Sequence, residues 1–226
     1  MSNEPNFFID LPDTLSVDRY IDPDKLRMFE DNDLGYGLSR RIIYIPGTIN
    51  DTGSGEPFVN TGDIVNLIQR YNAADTKANI PVEKRKPIWI AISSSGGDMF
   101  GTWTLINTMK SSKTPIYTVN VGDAFSAACL VLLSGHKRFS LRGTNHLIHS
   151  GSISYGGQKE IAESAKKYMD KLDKKAQDWL LERTKIDLKT YKSKAPKDWW
   201  MDEEDALKYG VIDVVVEALD EVFGNP

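Results

Sequence analysis

The sequence predicts an α/β domain with right-handed crossovers, and three observations predict it. Short β-forming runs alternate with helical ones from Arg41 to Val216. Pro87-Ile-Trp-Ile-Ala-Ile-Ser93 is apolar throughout, as a strand buried on both faces of a parallel sheet must be. The stretch Ile116–Ser134 changes character at Gly122, from β-formers (Ile116, Tyr117, Val119, Val121) to a small and aliphatic run, Ala127–Leu133, that reads as a buried helix.

In chain order, residues 1–40 are irregular, rich in Asp and Pro and sparse in apolar residues, and read as an N-terminal arm. Arg41-Ile-Ile-Tyr-Ile45 reads as the first strand, ended by Pro46-Gly47. Asn50 to Asn60 reads as a loop, and Thr61 as the N-cap of a helix with Ile64, Val65, Leu67, Ile68 and Tyr71 on one face. Ser94-Ser95-Gly96-Gly97-Asp98 follows the second strand and leads into a helix to about Ser112. Lys137–Leu141 and His146–Ile148 read as short strands. A long polar helix over about 158–183 either packs against a partner subunit or lies solvated on the sheet. A short helix capped by Asp202 and closed by Gly210 leads to a last strand, Val211–Val216.

Bulk properties exclude several classes. The net charge of -4, with no concentrated basic stretch, argues against nucleic acid. No run approaches the ~18 apolar residues of a membrane span. The N-terminus lacks the basic start and apolar run of a signal peptide, so a cytoplasmic location is expected. The one cysteine, Cys129, allows no internal disulfide and reads as a small core residue. Neither a dinucleotide G-x-G-x-x-G nor a Walker P-loop occurs, so no ATP is expected on this chain by that route.

Ser126 stands where the buried helix begins. It reads as that helix's N-cap or as a nucleophile aimed out of a strand-to-helix turn, and the two are compatible, since a serine at a helix start gains oxyanion-stabilising amides from the same geometry. A serine nucleophile needs a base, and the base needs a carboxylate to fix its tautomer. Three histidines are available. His136 lies in a polar turn and reads as surface. His146 and His149 are three apart in a strand and so face opposite ways, which suits no shared metal. His149 ends its strand, where it reads either as a base or as a hydrogen-bonded structural histidine. Asp198 lies in Pro196-Lys-Asp-Trp-Trp200, an extended segment between helices. Ser126 is not in a G-x-S-x-G elbow, which argues against an α/β-hydrolase.

From about Arg41 to Val216 the chain resembles the proteolytic subunit of the Clp protease, in the wider crotonase-like superfamily. Ser95-Gly96-Gly97 resembles the family's serine-proline-glycine-glycine turn. Gly122-Asp-Ala-Phe-Ser126-Ala-Ala resembles its nucleophile motif, Lys137-Arg-Phe139 its basic-aromatic turn, and Leu147-Ile-His149 its methionine-isoleucine-histidine. Tyr155-Gly-Gly-Gln158 falls where a handle strand is expected. Asp198-Trp-Trp-Met and Glu204–Asp213 resemble the family's aspartate and its ending. The resemblance implies a ClpP-like spiral of βαβ units over residues 41–226, with a projecting helical handle at about 158–183. It implies Ser126 as nucleophile, His149 as base, Asp198 as orienting carboxylate, and the backbone N–H groups of Gly97 and Ala127 as the oxyanion hole. It further implies heptameric rings, stacked in pairs around a chamber that admits unfolded protein or peptides. A separate ATP-driven unfoldase would feed that chamber, with no cofactor or metal on this chain.

Several residues depart from the family's pattern. Phe125 replaces a small residue and is expected to narrow the pocket. Ala127-Ala128 replaces methionine-glycine, and Ser150-Gly151 replaces glutamine-proline. Ala195-Pro196-Lys197 replaces charged residues that help pair the rings. Two further readings therefore stay open: a catalytically inactive ring subunit, and a crotonase-type enzyme acting on an acyl-CoA thioester with the two-amide hole alone.

Overall fold

Alternate residues of the second core strand enter different cores, because successive strand side chains point to opposite faces. Ile88, Ile90 and Ile92 join one buried cluster with the helices; Trp89 and Ala91 join another on the far face, with Val119 and Phe139. The computed structural model describes residues 41–50, 58–151 and 159–224. The expected arm, residues 1–40, and the expected handle strand at Tyr155–Gln158 lie outside the described residues.

The strands are β1 (Ile42–Asn50), β2 (Phe58–Asn60), β3 (Ile88–Gly97), β4 (Ile116–Phe125), β5 (Lys137–Leu141), β6 (Asn145–Ile148), β7 (Trp199–Asp202) and β8 (Val214–Val216). The helices are α1 (Thr61–Lys77), α2 (Met99–Ser111), α3 (Ala127–Leu132), α4 (Lys159–Arg183), α5 (Leu188–Lys194), α6 (Glu203–Lys208) and α7 (Asp220–Phe223). The fold is the expected α/β class. The main sheet runs β2-β1-β3-β4-β5-β8, all parallel. β4 then changes neighbour. Its first part, Tyr117–Asn120, pairs with β5, and its last part, Asp123–Phe125, pairs with β6. β6 in turn pairs antiparallel with β7.

Four boundaries differ from the sequence reading. β1 does not stop at Pro46-Gly47 but continues to Asn50, with a register shift between Pro46 and Thr48. A bulge is where a strand tolerates a proline, which has no N–H to donate. Residues 51–57 of the expected loop are not described, and Phe58–Asn60 form a short strand on β1. The N-cap of α1 is Asn60, whose side chain accepts from Gly62 N at 2.8 Å, and Thr61 is the first helical residue. The last strand begins only at Val214, because Asp213 is taken by Arg138.

Arg138 is a structural hub. Its guanidinium donates to Asp213, to the Arg183 carbonyl at 2.6 Å and to the Gly210 carbonyl at 2.9 Å. It thereby ties β5 to the end of α4 and to the turn before β8. α4 packs at its C-terminal half through Leu172, Trp179 and Leu180. Its N-terminal half leaves Ile161 and Tyr168 exposed.

Candidate active site

Three strand ends bring Ser126, His149 and Asp198 together. The β4–β6 ladder pairs Phe125 with Leu147, and Ser126 extends it by donating its N–H to the Leu147 carbonyl at 2.9 Å. The β6–β7 ladder pairs Ile148 with Trp199. One step further in that antiparallel register, His149 faces Asp198. The backbone on both sides is also linked, since Ser150 N donates to the Ala195 carbonyl at 3.2 Å. Ala195 is wholly buried there, at the start of a 3-10 turn, Ala195–Lys197, that delivers Asp198. The extended segment expected around Asp198 is thus a turn followed by an edge strand.

Ser126 Oγ lies 2.6 Å from His149 Nε2. His149 Nδ1 lies 3.2 Å from Asp198 Oδ1. Ser126 does not cap its helix: its side chain makes no capping hydrogen bond, and its backbone is held at φ 55°, ψ -119°. Asp198 is likewise at positive φ, 52°. Residues held in such sparsely populated conformations cost on the order of 1–3 kcal/mol each and are retained where the surroundings enforce them.

The Gly-Gly turn is part of that enforcement. A Cβ on Gly96 would stand 2.6 Å from the Phe125 carbonyl oxygen and 2.9 Å from Ala127 N. Only glycine lets this backbone press against the Ser126 turn. Gly97 is crowded on its other side by the Ile49 carbonyl, which accepts from Asp98 N at 2.8 Å. Gly97, Ser126, Ala127 and His149 border one cavity of about 610 Å³. Its remaining walls come from α2 (Met99), α3 (Leu130), α4 (Met169, Asp173, Leu180) and α5 (Tyr191). Burial, and secondarily the Asp170 carboxylate, push the Asp173 carboxyl up.

Phe125 does not narrow this cavity. Its ring packs edge-on against Trp200, and it is absent from the cavity wall. His146 and His149 diverge as expected. His146 is fully buried beside Asn120 and Ser140, away from the site. His136 is exposed. Cys129 is buried in α3, and burial pushes its thiol up to about 12, so it stays protonated and inert. Among the described residues no cluster of His, Cys, Asp or Glu is placed to hold a metal ion, and no helix is long and apolar enough to cross a membrane. Asp173 and Tyr191 are not marked in the sequence, because nothing in the polar helices α4 and α5 shows which residue faces a cavity formed by distant segments.

A hydroxyl, an imidazole and a carboxylate in this order and at these distances have the geometry of a serine hydrolase site. A family model described as Clp protease matches residues 79–218, a span that contains Gly97, Ser126, His149 and Asp198. The chain is 31% identical over 134 residues to the ATP-dependent Clp protease proteolytic subunit 2 of Treponema pallidum, covering 58% of this chain and 67% of that one. It is 31% identical over 185 residues to the proteolytic subunit of Streptococcus mutans, covering 80% and 86%. It is 30% identical over 196 residues to proteolytic subunit 2 of Borreliella burgdorferi, covering 84% and 89%. The chain belongs to the Clp protease family.

Proposed function

We propose that this chain is a serine peptidase in which Ser126, His149 and Asp198 act as a triad. The observation that carries the reading is His149 bridging Ser126 Oγ at 2.6 Å and Asp198 Oδ1 at 3.2 Å. His149 Nε2 takes the hydroxyl proton as Ser126 Oγ attacks the peptide carbonyl. Asp198 keeps the Nδ1 proton in place and stabilises the imidazolium. The N–H groups of Gly97 and Ala127 receive the developing oxyanion, each donor being worth roughly 10²–10³ in rate at such sites. His149 then gives its proton to the leaving amine. Water, activated by the same imidazole, cleaves the acyl-enzyme. This chemistry needs no cofactor on this chain.

The relatives are named as proteolytic subunits of ATP-dependent proteases. By the family resemblance of its motifs we assign this chain to a homo-oligomeric, heptameric ring in the cytoplasm that receives unfolded protein from a separate ATPase, with stacking into a second ring left to measurement because Ala195-Pro196-Lys197 replaces the charges that help pair the rings. The exposed Ile161 and Tyr168 on α4 suit a subunit contact. The inactive-subunit reading rests on Phe125 and on the altered residues flanking the triad, and the first of these loses force because the Phe125 ring packs against Trp200 and does not border the cavity. The acyl-CoA reading has no use for the His149–Asp198 pair. The test is hydrolysis of short fluorogenic peptides by the parent and by Ser126→Ala. The proposal requires turnover in the first and its loss in the second, and equal rates would refute it. Native mass spectrometry of the full chain reads the ring number.

A further inference from the structure

We propose that Asp173 sets the primary specificity of the cavity beside Ser126, selecting a lysine or arginine side chain on the acyl side of the scissile bond. This inference rests on the peptidase reading above and adds its substrate class.

Asp173 is half-buried in the wall of the cavity that holds Ser126 and His149. A Cβ on Gly151, two residues beyond His149, would stand 3.4 Å from Asp173 Oδ1, so the carboxylate sits against the segment that delivers the base. Among the described residues it has neither a hydrogen bond nor an ion pair. The neighbouring charges are already engaged. Asp170 accepts from Lys166 at 2.9 Å, and Lys174, which also borders the cavity, is bound to Asp178. Lys175 lies over the Trp103 ring, 3.6 Å from its centroid.

The electrostatics point the same way. The Asp173 carboxyl is raised by burial and by Asp170, and the Tyr191 phenol opposite is raised by burial and by Asp173. Burial is the larger cause of each shift and a neighbouring negative charge the smaller, and a cation entering beside Asp173 offsets the second. The other walls suit the rest of a basic side chain. Met99, Leu130, Met169 and Leu180 offer apolar surface for its methylene stem, while the charged head reaches the carboxylate. An apolar side chain would desolvate Asp173 without pairing it, and an acidic one would add a like charge.

The test compares matched fluorogenic peptides that differ only in arginine, norleucine or glutamate before the scissile bond, with the full-length protein. The expected ratio of kcat/KM for arginine over norleucine is at least about tenfold, the scale of one charge-assisted hydrogen bond. Asp173→Asn brings that ratio close to one, and Asp173→Lys moves the preference toward glutamate. Fluorophosphonate labelling of Ser126 is read on the same samples. A labelled serine with an arginine ratio at or below one, or a ratio indifferent to Asp173→Asn, overturns the assignment of Asp173 and leaves the peptidase reading standing. An unlabelled serine with no cleavage of any peptide overturns the peptidase reading, and this inference with it.

Discussion

Trp200 stands edge-on to Phe125, their ring centroids 5.1 Å apart at 80°. The two residues flank Leu147 in register across β4, β6 and β7. The contact therefore clips together the three strands whose ends carry Ser126, His149 and Asp198. It also commits the Phe125 ring to the edge of the sheet, so a bulky residue beside the serine is compatible with an open cavity.

Phe125→Ala should accordingly act on stability and not on access. An aromatic pair of this geometry is worth about 1 kcal/mol beyond its burial. The urea midpoint should fall, with kcat/KM for a short peptide close to that of the parent. A large gain in peptide turnover would mean that Phe125 does obstruct the site.

Asp198→Asn keeps the shape of the side chain and removes the charge that lies 3.2 Å from His149 Nδ1 and that the proposed triad uses to hold the tautomer. Loss of the corresponding carboxylate in serine hydrolase triads costs about 10⁴-fold in kcat. A fall of that order, with KM little changed, is expected in a steady-state peptide assay. Near-normal kcat would show that Asp198, which is 59% exposed, is not the orienting group.

Gly96→Ala tests the turn that supports Ser126. The new Cβ meets backbone atoms on both sides of the serine, at 2.6 and 2.9 Å, and the residue sits at φ +93°. Neither neighbour can rotate away, so a stability loss on the order of 1–3 kcal/mol is expected, together with reduced activity. Thermal unfolding and the peptide assay check both.

His146 should make the fold sensitive to acid. Burial lowers its pKa from 6.5 to about 4. In the neutral ring Nε2 faces the Asn120 amide at 3.2 Å as an acceptor, and protonation would set donor against donor. Below pH 6.5 the unfolded chain binds a proton that the folded chain refuses, so stability falls with pH from 6.5 to about 4. The full effect is about 3 kcal/mol. Urea midpoints across that window should drop, and His146→Gln should flatten the slope.

The parts of the site sit at changes of local character, which mark them only weakly, and it is the resemblance to the Clp family that joins them into one site. Ser126 marks a strand-to-helix switch, His149 a strand end, and Gly96-Gly97 a turn after a buried strand. Their meeting was not legible from periodicity. It depends on β4 exchanging β5 for β6 as its neighbour, which no local pattern records. Asp198 stands out as an acid in a segment between helices, but its place opposite His149 does not, since the strand that follows it, β7, is only four residues long and exists by pairing with β6. The cap reading of Ser126 follows from its place at the start of a buried helix, and Ser126 does occupy the N-cap position, but its hydroxyl bonds His149 instead of the helix. Pro46 read as a terminator, yet a bulge absorbs it.

Activation of Ser126 by His149 as a nucleophile can be read chemically. The most direct measurement is labelling of the full-length protein with a fluorophosphonate probe, followed by peptide mass mapping, in the parent and in His149→Ala. An adduct on Ser126 is expected in the parent, with its loss or strong slowing in the variant. An unlabelled Ser126 in the parent, under conditions that label a control serine protease, would contradict it.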